Sequence, residues 1–383
     1  MPITESRIGH GRHSDSPTEI PARGWKDVVS RVKTEAQQDN VPLLSAGVAF
    51  YSLLALVPGL AAMISIYGLV ADPAKVQQQV VDALSAAPKE VRDLVSSQLS
   101  SIASSSGGST LIAVIVGIVL ALWTASAGIG HLMQAINVAY DEAETRGFVR
   151  RRAIALAFTL SAIILLLGSF VLIAVLPAWL ANTGLGLGAR IAAGLLRWVL
   201  LFAVMIAALA VLYRYAPDRD APKWRWASAG AAIAAFVWLI GSIGFSIYTA
   251  NFAKYNKTYG SLGAVVVLML WLYVTALAVI LGAEINAELE RQTVVDSTEG
   301  ADKPLGSRNA YAADTVGAGR DGIGWDGAGT ADSAVASRDE AGSAPRESAP
   351  SAAHDTGESR GRQAIKLLRM VRAAVRRKSA SAD

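Results

Sequence analysis

The sequence predicts an all-α integral membrane protein with six transmembrane helices, both termini cytoplasmic and a disordered cytoplasmic C-terminal tail. Three observations carry this. Hydrophobic residues make up 52% of the 383, charged residues only 17%, and the mean hydropathy is +0.38. The apolar residues come in blocks longer than the roughly 18 that mark a membrane-crossing helix. Lys and Arg collect on alternate connections between those blocks, as the positive-inside rule requires of cytoplasmic loops.

Taken in order, Met1 to Arg23 is polar, lacks an apolar signal-peptide core and is expected to be a disordered leader. His10 and His13 lie in it, without further metal-ligating neighbours. Gly24 to Gln38 has Trp25, Val28, Val29, Val32 and Ala36 at helical spacing, with Lys26, Arg31 and Lys33 off that stripe. It fits a helix lying in the headgroup layer or a soluble cap on the bundle. Asp39 and Asn40 supply N-cap chemistry, and Pro42 suits a first turn. The first span follows at about 43–70, with Pro58 and Gly59 near its middle predicting a kink. Ser45, Tyr51 and Ser52 place hydroxyls on its cytoplasmic half.

Residues 72–109 read as two short amphipathic helices and a Ser/Gly linker. The second span, about 111–133, turns polar through Thr124, Ser126, His131, Gln134 and Asn137. The third, about 153–176, stops at Pro177. The fourth occupies about 191–213 and the fifth about 227–248, where Gly230, Gly241, Ser242 and Gly244 suit close helix packing. The sixth, about 262–283, ends in Glu284, Asn286, Glu288 and Glu290, and a carboxylate at that depth is costly unless it faces other helices or water. Thr293 to Gly361 is rich in Gly, Ala, Ser and Asp and is expected to be a disordered linker. At 362–379, Ile365, Leu368, Val371 and Val375 oppose Arg362, Lys366, Arg369, Arg372 and Arg376. That is a basic amphipathic helix suited to anionic lipid of the cytoplasmic leaflet.

The run from Tyr259 to Arg291, YGSLGAVVVLMLWLYVTALAVILGAEINAELER, resembles the last transmembrane segment of the YihY/BrkB family of bacterial inner-membrane proteins, formerly labelled ribonuclease BN-like. Leu44 to Pro58, Asn137 to Arg146 and Tyr213 to Pro217 are similar to further signatures of that family, in the expected order. The resemblance implies a mainly six-helix protein of the bacterial inner (plasma) membrane. Family members carry a ribonuclease label, links to virulence and serum resistance, and suggestions of lipid transport.

Phosphodiester hydrolysis needs clustered metal ligands or a positioned acid–base pair. Of the four histidines, His10, His13 and His354 fall in the tails and His131 stands alone. No catalytic residue, metal site or cofactor is therefore called for, the chain has no cysteine or Walker A motif, and nucleic acid is not an expected partner. Polar groups at membrane depth point instead to transport of an amphipathic anion such as a lipid. The substrate-path candidates are Arg197, Glu284, Asn286, Tyr51, Ser52, Pro58 and His131. Each has a plainer reading: Arg197 as an interfacial side chain reaching the outer surface, Glu284 in an interhelical bond, Pro58 as a packing kink. A membrane scaffold that recruits partners through the tail is the alternative function. His131 and the small-residue face of the fifth span would equally serve a homo-oligomer.

Overall fold

The computed structural model describes residues 10–68, 111–175, 186–252 and 261–319. Within them, six helices are long and apolar enough to cross a membrane. A short cap helix, α1 (Ala22–Gln38), precedes α2 (Val41–Gly68), α3 (Leu111–Ala139), α4 (Phe148–Phe170), α5 (Leu187–Tyr215), α6 (Trp224–Phe252) and α7 (Ser261–Glu290). A one-turn helix, α8 (Tyr311–Asp314), closes the described chain.

Each spanning helix runs past its predicted cytoplasmic bound, and in all but α2 the added residues include polar ones that stay helical. Thus α3 continues through Gln134 and Asn137, α4 already includes Arg150 to Arg152, and α7 carries Glu284 to Glu290 in its last two turns. The predicted N-cap between α1 and α2 takes another form. Asn40 adopts a left-handed backbone (φ 52°), which asparagine tolerates better than most residues. Its carbonyl accepts from the Leu43 and Leu44 amides, and its side chain donates to Gln38 O rather than capping α2. α2 runs through Pro58, and α4 ends in a π turn, Val171–Val175.

The packing order is α5, α6, α7, α2, α3, α4, with α7 and α2 in the middle. Small residues set the α6–α7 approach. A side chain on Gly282 would meet Ala234 Cβ at 2.6 Å and Gly230 O at 3.1 Å, so only glycine fits there. Deeper in the membrane, Trp238 Nε1 donates to Thr275 Oγ1 at 3.1 Å. The buried core lies toward the cytoplasmic ends, around Met133, Ile136, Tyr140, Tyr213 and Ile280.

Two stretches expected to be disordered are folded where described. Residues 10–21 pack under α1, where His10 Nδ1 lies 2.6 Å from Asp27 and Gln292 donates to His10 O. α1 is a cap on the base of the bundle: Val28 is buried with Ile20, Trp226 and Leu289, while Val29 faces outward. Residues 293–319 also fold onto that base. Arg308 donates to the carbonyls of Val294, Lys303 and Ala313, Lys303 pairs with Asp220 at 2.7 Å, and Pro222 bridges Thr298. This segment buries small alanines and a polar network rather than large apolar side chains, so its composition resembles that of a linker. The predicted helices at 72–109, the linker from 320 and the basic helix at 362–379 lie outside the described residues.

Candidate functional site

The polar residues of the chain converge on the base, where the cytoplasmic helix ends, α1, the loops at 140–147 and 216–223, and residues 293–319 meet. The sequence motifs lead there. Asn137 binds the turn after α3 by donating to Glu144 at 3.0 Å, and it accepts from the Asp218 amide at 2.9 Å. Asp218 accepts from both the Thr145 amide and hydroxyl at 2.6 Å, and Arg146 pairs with Glu144 and reaches Ala216 O. Burial works to raise the Asp218 pKa, but the Thr145 bonds and Arg146 outweigh it and hold the carboxyl below its ordinary range. The Tyr213 hydroxyl, one turn earlier on α5, donates to Val279 O at 2.8 Å and ties α5 to α7.

The end of α7 is the centre of this base. Acids at a helix C-terminus oppose the helix dipole and need compensation. Glu290 has it: Arg219 binds bidentately at 2.6 and 3.2 Å, both side chains are fully buried, and Ser297 donates to the same carboxylate at 2.6 Å. Burial disfavours the Arg219 charge, but Glu290 more than restores it, and the guanidinium lies 5.0 Å from the centre of the Tyr140 ring. Glu288 is paired with Arg31 of α1 and with Arg291, which also reaches Glu35 at 3.3 Å. Asn286 accepts from the Gly230 amide at 2.7 Å and donates to Ala227 O at 3.1 Å. It fastens α7 to α6, so its functional groups are spent on packing. Glu284 differs. It is 1% exposed, and its Oε1 makes no hydrogen bond among the described residues.

One face of α7 also walls an open depression of about 490 Å³. Lys33, Gln37 and Asn40 supply polar groups from α1 and its turn, while Val41, Leu43, Leu277 and Leu281 supply apolar ones. The sequence gives no direct sign of it, because it arises from the α1–α2 turn meeting α7. Lys33 off the apolar stripe of α1 is the one hint.

The remaining candidates are separated from this region. Tyr51 and His131 are brought together as stacked rings, 3.6 Å between centroids, and Ser52 lies beside them against Gly128. Arg197 lies sixteen residues before Tyr213 on α5, about 24 Å away along the helix. Its Nη1 donates to Ile173 O at 3.3 Å, within the π turn, where carbonyls lose their regular partners. Its guanidinium also lies 5.3 Å from the Trp198 ring.

Fold and base together define a multi-pass membrane protein of six spanning helices with a folded cytoplasmic face. A family model described as virulence factor BrkB matches residues 32–305, and the chain belongs to that family. The ribonuclease-like protein YfkH of Bacillus subtilis is 30% identical over 70% of this chain and 95% of its own. A UPF0761 membrane protein of Rhodospirillum centenum is 28% identical over 64% of this chain and 53% of its own. Another, from Vibrio cholerae, is 37% identical over 27% of this chain and 35% of its own. No solved structure matches the chain. These relatives and the six apolar helices make it a multi-pass protein of the bacterial inner membrane.

Proposed function

We propose that the chain carries an amphipathic anion, such as a lipid, at the cytoplasmic leaflet and across the bilayer. The single observation behind this reading is the depression between α1, the α1–α2 turn and α7. With the bilayer edge taken at the start of the first span, Lys33 would lie at headgroup depth and Leu277 and Leu281 at acyl depth. A cationic rim above an apolar wall suits a charged head with a hydrocarbon tail. Tyr51, Ser52, Pro58 and His131 would border the path along α2 and α3, and Arg197 would attract the anion near the outer end of α5. Glu284 and Asn286 stand at the cytoplasmic mouth. A ribonuclease reading, suggested by the name of the Bacillus relative, lacks a comparable site: His10 is engaged by Asp27, His131 by Tyr51, and no three His, Asp or Glu among the described residues gather to hold a metal.

The test is a leaflet-exchange assay in proteoliposomes carrying a fluorescent anionic lipid. The expected result is exchange by the full chain and strong loss in Lys33→Glu and Leu281→Trp, with Val29→Glu, on the outward face of α1, as control. Exchange equal to that of empty vesicles would refute the reading. The scaffold alternative draws on the folded base at residues 293–319, and it predicts that function survives Leu281→Trp but not removal of residues 320–383.

A further inference from the structure

We infer that Glu284 is an exchangeable proton-binding site at the cytoplasmic mouth of the bundle. Three acids occupy the last two turns of α7, and the structure treats them unequally. Glu288 and Glu290 each receive a guanidinium, and Glu290 a hydroxyl as well. Glu284 is as deeply buried, yet Oε1 has no hydrogen bond among the described residues. A fully buried ionised carboxylate without such compensation is held at a large desolvation cost.

The groups acting on it deepen the asymmetry. Glu35 and Asp39 face it from the end of α1, Glu288 from the next turn of its own helix, and Asp141 from the turn after α3. Tyr140, beside Asp141, also feels its charge. Of the nearby cations, Arg31 and Arg291 bind Glu288 and Arg219 binds Glu290, while Lys33 of α1 lines the depression beside Leu281. Further ionisable side chains on the packed elements are His131 of α3, Tyr51 of α2, Arg225 and Tyr248 of α6, and Tyr311 and Asp314 of α8. Of these, Arg225 lies nearest Asp15 and Tyr311 sits over Arg291. Glu288 and Glu35 are themselves paired with arginines, Asp39 and Asp141 add to the negative charge around Glu284, and a cation is what the position accepts. Among the described residues no three of these acids gather as metal ligands, and a proton is the cation that a single buried carboxyl holds without further ligands.

Exchange would run along one face of α7. Leu277, Leu281, Glu284 and Glu288 follow one another by four, three and four residues, so they share one face of α7. The first two wall the depression that opens beside α1. Glu284 thus lies one turn below a space open to the outside, while burial keeps it from bulk water. The inference stands independently of lipid carriage, since protonation is read without any substrate.

The experiment is difference infrared spectroscopy of the full chain in zwitterionic nanodiscs across a pH titration. A protonated-carboxyl stretch is expected near neutral pH. It should be lost in Glu284→Gln, displaced in Glu284→Asp, shifted in D₂O and abolished on alkalinisation. Should the Gln variant lose its helical circular dichroism, the Asp displacement decides alone. Absence of the band, a band unchanged in both variants, or a band that resists deuterium exchange would overturn the inference. So would loss of the band on adding sodium or potassium at constant pH, which would make this an alkali-cation site.

Discussion

Replacing Arg219 by Met should be the most damaging single change at the base. Both members of the Arg219–Glu290 pair are 0% exposed, and the variant leaves Glu290 buried with Ser297 alone for support. Breaking one side of a buried pair costs about 3–5 kcal/mol, because the surviving charge keeps its desolvation penalty. Removing the guanidinium from the Tyr140 ring adds about 0.5–2 kcal/mol. At roughly 2–4 °C per kcal/mol, the figure for domains of about 150–250 residues and an upper bound for this longer chain, the melting temperature in detergent should fall by at most ~7–28 °C. Glu290→Met should cost a similar amount. The double variant should recover most of the loss, since it buries apolar groups where two charges had been. A thermal-melt double-mutant cycle on the purified protein measures this. A single-variant loss under about 1 kcal/mol, or a double variant no more stable than either single, would show that the pair does not bear on stability as argued.

Further outcomes follow from the same contacts. Asp296 is buried and Asp218 half-buried, which by itself raises a carboxyl pKa, but their amide, hydroxyl and arginine partners leave both below the ordinary value. Their stabilising contribution is complete above about pH 4 and is lost as pH falls through the depressed folded values. Hydrogen exchange of residues 293–319 should therefore accelerate in acid well before the spanning helices respond, and uniform protection would contradict it. Gly282→Ala should destabilise by about 1–3 kcal/mol through its clash with Ala234 and Gly230, whereas Gly244→Ala, with open space around it, should melt within about 0.5 kcal/mol of the parent. Truncation after Gly319 should leave the melting temperature unchanged, while truncation after Gln292 should lower it by removing Ser297 and Arg308. Equal melting of the two would show that the 293–319 contacts add nothing.

Six helices were legible because a bilayer demands long apolar runs, and that signal depends on no tertiary detail. Glu284 and Asn286 also stood out, since polar groups following an apolar run are conspicuous. What those two residues do was not legible. Asn286 reads as a substrate contact in sequence, yet both ends of its amide are taken by Gly230 and Ala227, 56 and 59 residues away in the chain. The folded segment 293–319 was missed for a related reason. Its buried members are Thr293, Asp296, Ser297, Arg308 and small alanines, and a segment stabilised by hydrogen bonds to distant loops shows no hydrophobic periodicity. The depression was missed because it belongs to no single element.

The resemblance motifs carry a physical meaning that the structure supplies. Asn137 to Arg146 and Tyr213 to Pro217 lie at the base of the bundle. They form the latch that sets two cytoplasmic loops against each other and against α7. Their effect is to hold Arg219 against Glu290 and Tyr140 beneath α7. With α1 delivering Arg31 to Glu288, two of the three terminal acids of α7 are then neutralised by elements far apart in sequence. The third, Glu284, faces acids from α1 and from the turn after α3 instead. A bundle needing only stability would gain by an apolar residue there, since it would lose a buried polar group that lacks a full set of partners. The glutamate therefore costs stability at a buried point of the base, one turn from the residues that line the depression, as the proposed proton site would.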